Sequence, residues 1–133
     1  MKRILLAEDN KGDVQLVRLA LAEHGVQHEL HVAHDGEQAT ALLAGTDPSE
    51  EGCFDLVLLD LNLPRVDGPQ ILSLLRRHPC CGQTPVIVVS SSKAPTDRTR
   101  ISELGIDHYF QKPSDLEEFM KLGEVVQQVL ASR

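Results

Sequence analysis

Three continuously aliphatic runs, each broken off by polar or acidic residues, set the terms for any fold this chain can adopt. They are Ile4–Ala7, Leu56–Leu59 and Val86–Val89. A strand with one wet face alternates apolar and polar residues. An unbroken short run instead suits a strand covered on both faces, as in a parallel sheet. Leu30–Ala33 and Tyr109–Phe110 are weaker candidates for two more strands. Helical patterns lie between these runs. Val14, Val17, Ala20 and Leu21 recur at helical spacing before Gly25. Gln38–Leu43 reads as a short helix ending near Gly45, and Pro69–His78 as one stopped by Pro79. Asp97–Leu104 is short and ends at Gly105. Leu116–Leu130 carries Leu116, Phe119, Met120, Val126, Val129 and Leu130. Gly123 inside that stretch costs ~1 kcal/mol against Ala, so the helix depends on packing. The order is strand then helix, five times over. Such alternation predicts an α/β fold with a parallel sheet and right-handed crossovers.

In open sheets of this kind, ligands bind outside the carboxyl ends of the strands. Glu8 and Asp9 follow the first run, Asp60 the third, Ser90 the fourth, and Lys112 the fifth. The residues suited to chemistry thus collect at one edge of the sheet. Three carboxylates there create a physical problem. Two unit charges ~5 Å apart at an effective dielectric of ~20 repel by roughly 3 kcal/mol. A divalent cation relieves it. Magnesium takes hard oxygen ligands and keeps several waters, so a few carboxylates suffice.

Composition narrows the classes further. The 133 residues fit a single domain, expected to span 1–133. Aromatics are 3% of the chain and Trp is absent, so the core must be aliphatic. A net charge of −7 argues against nonspecific nucleic-acid binding, which needs a basic face. The N-terminus meets acid after four apolar residues, too soon for a signal peptide or a membrane span. Cys53, Cys80 and Cys81 include no C-x-x-C pair, and adjacent cysteines do not easily bridge. A reduced, cytoplasmic chain is the simple expectation.

In order and spacing these residues resemble the receiver domains of bacterial two-component response regulators, over about residues 2–131. The segment Asp60-Leu61-Asn62-Leu63-Pro64-Arg65-Val66-Asp67-Gly68 is similar to that family's phosphorylation-site loop. The resemblance implies a flavodoxin-like, doubly wound (βα)5 fold with strand order 2-1-3-4-5. It implies that Asp60 accepts a phosphoryl group from a histidine kinase phosphohistidine. Glu8, Asp9, Asp60 and the backbone carbonyl of Asn62 would hold Mg2+. Lys112 would pair with a phosphoryl oxygen, and Ser90 would turn to bond the phosphoryl group. Tyr109 would swing inward as the hydroxyl moves. The family often has a cis peptide after its lysine, so Lys112–Pro113 is expected as cis.

The same resemblance implies a phosphorylation-dependent surface made by the fourth helix, fifth strand and fifth helix, about residues 90–130. A sensor histidine kinase, a downstream protein target and a homodimer through that surface are the implied partners. The chain ends soon after the fifth helical stretch, so a stand-alone regulator is expected. Two departures stand out: Glu8-Asp9 where many members have two aspartates, and Ser90 where Thr is common. The long Gly45–Phe54 segment and Asp9-Asn10-Lys11-Gly12-Asp13 look like the small regulators that serve phytochrome-type kinases.

Rival classes fit less well. A phosphohydrolase with an aspartyl nucleophile usually needs a second Asp two residues on as acid–base, and here that residue is Asn62. A flavin or nucleotide binder wants a glycine- or hydroxyl-rich loop after the first strand, where this chain has Glu8-Asp9-Asn10. A degenerate, unphosphorylated scaffold is disfavoured by the full set of acids, hydroxyl and lysine. His28, His31 and His34 span a strand candidate, so His31 faces away from the other two and exposed histidines are expected, not a zinc site. Arg76, Arg77 and His78 suit the negative end of a helix. Lys93, Arg98 and Arg100 read as a solvated or output face. Asp67, Asp97 and Ser114 read as caps or turn residues.

Overall fold

The aliphatic runs form the middle of a five-stranded sheet. The structure, a computed structural model, describes residues 2–44, 53–61, 63, 68–78, 82–91, 99, 101–103 and 105–132. Its strands are β1 (Lys2–Ala7), β2 (His28–Ala33), β3 (Leu56–Leu59), β4 (Val86–Ser90) and β5 (His108–Gln111). Four helices are complete among the described residues. They are α1 (Lys11–Glu23), α2 (Gly36–Ala44), α3 (Gly68–Arg77) and the C-terminal α4 (Leu116–Ala131). Half of the expected helix at Asp97–Leu104 falls outside the described residues. Of it, Ile101–Glu103 are helical and Ile101 is fully buried.

All strand pairs are parallel and the order is β2-β1-β3-β4-β5, as expected. Alternate strand residues feed two separate cores. Leu5, Val57, Leu59, Val86 and Val88 face α2 and α3, joined by Ile71, Leu72 and Leu75. Ile4, Leu6, Leu56, Leu58, Ile87 and Val89 face α1 and α4, joined by Val17, Leu21, Phe119 and Val126. Every residue of β3 and β4 is therefore buried, which is why both are aliphatic throughout except for Ser90 at the end of β4. Edge strand β5 is half exposed, and its two aromatics diverge. Tyr109 packs with the α2–α3 side, while Phe110 meets Phe119 of α4 edge-on at 5.9 Å.

The order reverses between β1 and β3, so the crevice opens between their carboxyl ends. Helix starts are set by side chains. Asn10 caps α1 by accepting from the Asp13 N–H at 3.1 Å. Asp115, not the neighbouring Ser114, caps α4 by accepting from Glu117 N–H at 3.0 Å. Gly123 of α4 lies against α1. A Cβ added there would fall well inside contact of the Ala20 carbonyl oxygen and the His24 ring. The propensity deficit noted in the sequence is thus tied to close helix packing.

Several expectations are corrected. Lys112–Pro113 is trans, as are all peptide bonds among the described residues. Trans is the lower-energy isomer of an X–Pro bond by about 0.5–1 kcal/mol. Cys53 is disulfide-bonded, contrary to the expectation of a fully reduced chain. The other two cysteines lie outside the described residues. His28 and His31 are half-buried, not exposed: His28 Nδ1 donates to Val26 O at 2.8 Å, and His31 meets the Phe54 ring edge-on at 5.5 Å. Arg76 and Arg77 stand in the last turn of α3, as expected, and Arg76 does more than complement the helix end. Its guanidinium donates to Thr84 O at 2.7 Å and Gly105 O at 2.8 Å, tying the end of α3 to the approaches of β4 and β5.

Candidate functional site

The candidate residues sit one step past the strands, and the sheet's own hydrogen bonding holds them there. Glu8 N–H donates to Ala33 O at 2.9 Å, Asp60 N–H to Ala7 O at 3.0 Å, and Lys112 N–H to Ser90 O at 2.8 Å. Each bond extends the parallel ladder beyond the last strand residue. The backbone is therefore fixed where the side chains turn into the crevice.

The acids cluster as expected. Glu8, Asp9 and Asp60 each offer a carboxylate oxygen, and these atoms lie within 4.8 Å of one another. Glu8 and Asp60 are buried, with 2% and 7% exposure, whereas Asp9 is exposed. This is an all-oxygen, partly open donor set, which fits magnesium or manganese rather than zinc. Among the described residues no other group of three acids, cysteines or histidines comes so close together. The Asn62 carbonyl lies outside the described residues.

Lys112 reaches the same spot from β5. Its Nζ is 2.6 Å from Glu8 Oε1, 2.8 Å from Asp13 Oδ2 and 3.2 Å from Asp60 Oδ2. An ammonium has three N–H donors, and all three are used. Burial pushes the Glu8 carboxyl up to about 7; Lys112 opposes this and Asp60 adds to it. Burial also works against the Lys112 charge, but its hydrogen bonds to Asp13 and Glu8 outweigh that and hold the ammonium above its usual range.

Close packing shapes the loop that carries Asp60. Gly68 starts α3, and its N–H donates to Leu61 O at 3.2 Å. A Cβ at Gly68 would come within 2.7 Å of Leu61 Cα and 3.0 Å of Asp60 O. Glycine is required there by contact with the backbone of the acceptor loop. Ser90 is fully buried at the end of β4, and Tyr109 is half-buried on the paired strand β5, opposite Val88. Asp13 was not foreseen. It stands in the first turn of α1, not after a strand, and its only sequence signal is its place just beyond the acidic pair.

The comparisons agree with this geometry. Residues 4–123 match the response regulator receiver domain family. The response regulator Rcp1 of Synechocystis sp. is 35% identical over 122 residues, covering 91% of this chain and 83% of that protein. The transcriptional regulatory protein CpxR of Escherichia coli is 37% identical over 113 residues, and there the chain spans only 44% of the relative. The crystal structure of the phosphorylated cyanobacterial phytochrome response regulator RcpA superposes with a TM-score of 0.86 at 33% identity, covering 98% of this chain and 94% of that one. The Mn2+-bound form of Rcp1 does so at 0.83 and 33%, covering 96% and 93%. With the doubly wound sheet, the acidic crevice and a family match over nearly its whole length, this chain belongs to the response regulator receiver domains of two-component signalling.

Proposed function

We propose that Asp60 is the phosphoacceptor of this receiver, taking its phosphoryl group from the phosphohistidine of a sensor histidine kinase with Mg2+ in the site. The carrying observation is the convergence of Lys112 on Glu8 and Asp60, beside Asp9, at the sheet's switch point. A carboxylate oxygen of Asp60 attacks phosphorus, an acyl phosphate forms, the phosphorus–nitrogen bond breaks, and the leaving imidazole nitrogen keeps the electron pair. Bound Mg2+, held by Glu8, Asp9, Asp60 and the Asn62 carbonyl, supplies neutralisation of charge on the transferring group. Lys112 offers a compact positive charge to a phosphoryl oxygen. Ser90 then turns its hydroxyl to the acyl phosphate, and Tyr109 follows inward. Tyr109 stands opposite Val88, two residues before Ser90 on the paired strand, and this supports that coupling.

The readout is a changed surface over residues 90–130, which recruits a downstream protein or a second copy of the chain. Likeness to phytochrome response regulators supports a phytochrome-type kinase as the donor. We place the protein in the cytoplasm as a single receiver over 1–133. The reducing pool there would hold the Cys53 disulfide open. The test is labelling by a small phosphodonor in Mg2+, with the modified residue mapped. Labelling of the parent chain and none of Asp60→Asn is expected. Persistent labelling of the variant would show that the acceptor lies elsewhere.

A further inference from the structure

The Lys112 ammonium is divided among three carboxylates, and only two of them belong to the candidate cation site. Glu8 and Asp60 do; Asp13 does not. A divalent cation and the ammonium therefore draw on the same two carboxylates, Glu8 and Asp60. The two positive charges also repel, so the cation's arrival requires the ammonium to give up contacts. Asp13 is the partner that remains. We propose that Asp13 is a positioning residue that takes up the Lys112 ammonium and thereby releases Glu8 and Asp60 to a divalent cation. This rests on the reading of Glu8, Asp9 and Asp60 as a magnesium site.

The local structure suits that task. The Asp13 N–H is tied to Asn10 Oδ1 at 3.1 Å, which fixes the first turn of α1. The side chain is 25% exposed and stands at the rim, while the other two carboxylates are nearly closed off. An acid in the first turn of a helix is often no more than a complement to the helix dipole. That role accounts for an acid at this position. It does not account for a 2.8 Å contact with a lysine 99 residues away, shorter than the 3.2 Å contact from the same lysine to Asp60. Removing the Asp13 charge has two effects with the same sign. It leaves the ammonium more firmly on Glu8 and Asp60, and it takes a negative charge from the neighbourhood of the cation.

A double-mutant cycle separates these effects. Mg2+ affinity would be measured by titration calorimetry on the full chain, for the parent, Asp13→Asn, Lys112→Met and the double variant. Asp13→Asn should weaken Mg2+ binding about fivefold to tenfold when Lys112 is present. With Lys112→Met the same change should cost less than about twofold, because no ammonium then needs a berth. Asp13→Glu should bind within about threefold of the parent, since it keeps the charge. If Asp13→Asn fails to fold, as judged by urea titration, Asp13→Ser repeats the loss of charge with another residue suited to a helix start. Unchanged Mg2+ affinity in Asp13→Asn would overturn the proposal. Equal weakening in both backgrounds would also overturn it, by showing that Asp13 acts only as a distant charge. A parent chain that binds no Mg2+ would instead sink the magnesium reading, and this proposal with it.

Discussion

Replacing Lys112 by Met keeps most of the side-chain volume and removes a cation that faces three carboxylates. Lys112 is 12% exposed, Glu8 2% and the Asp60 side chain 9%, so the pairs are largely desolvated. Breaking such a pair from one side costs about 3–5 kcal/mol. The lower end applies here, because Glu8 can escape by taking a proton. In the parent protein Glu8 titrates near pH 7, raised from 4.5 chiefly by burial. Above pH 7 the folded parent therefore carries an ionised, disfavoured Glu8, and that penalty is absent below 4.5. Lys112 acts the other way. Its ammonium is favoured by the fold, so its contribution is complete below the ordinary lysine range and is lost only at strongly alkaline pH.

Without Lys112, Glu8 should stay protonated through pH 8. At Glu8 the folded variant and folded parent then bind equal protons at pH 5, and the variant binds nearly one more there at pH 8. Integrating that difference from pH 6 to 8 gives about 1.4 kcal/mol, or about 1 kcal/mol after screening by water at the open rim. Urea unfolding in chelator should show a loss of about 3 kcal/mol at pH 8 and about 2 kcal/mol at pH 6. Mg2+ at about 100 times its dissociation constant should restore about 2.7 kcal/mol. Equal losses at the two pH values, or no restoration by Mg2+, would refute the electrostatic reasoning.

Glu8 must shed its proton to ligate a cation, so Mg2+ affinity should fall about tenfold from pH 8 to pH 6, measured by calorimetry at constant ionic strength. Gly68→Ala should cost about 1–3 kcal/mol and slow phosphodonor labelling, because its Cβ presses on the backbone of Asp60 and Leu61; urea midpoints and labelling rates check both. Gly123→Ala should gain about 1 kcal/mol of helix propensity yet destabilise by about 2 kcal/mol net, since the Ala20 carbonyl cannot move without shifting α1; a rise in the urea midpoint would contradict the packing described.

The sheet was legible because burial on both faces leaves β3 and β4 aliphatic up to Ser90 at the very end of β4. The weaker strands were found short, and for the same physical reason. β2 begins at His28 and β5 runs to Gln111, and at these edges solvent exposure admits polar residues that carry no strand signal. Glu8, Asp60 and Ser90 were legible because each directly follows an apolar run, and Lys112 because it comes one residue after one, which is a one-dimensional cue. Asp13, Arg76 and the Cys53 bond were not. Such roles depend on contacts between separate elements, Asp13 with Lys112 and Arg76 with Thr84 and Gly105.

Gly68 and Gly123 show how such contacts leave an indirect mark. At each position a glycine starts or interrupts a helix that would fold better with Ala. The sequence exposes the local cost without the reason for it. At Gly123 the reason is the approach of α4 to α1, and α1 carries Asp13 at its other end. At Gly68 it is the approach of α3 to the loop after Asp60. The two close packings thus brace opposite walls of the crevice, one through the helix that presents Asp13 and one through the loop that presents Asp60. Charges that repel one another by several kcal/mol can be held a few ångströms apart only on such a braced frame. It follows that the acids' geometry, and with it their appetite for a cation, is set by backbone contact as much as by the acids themselves.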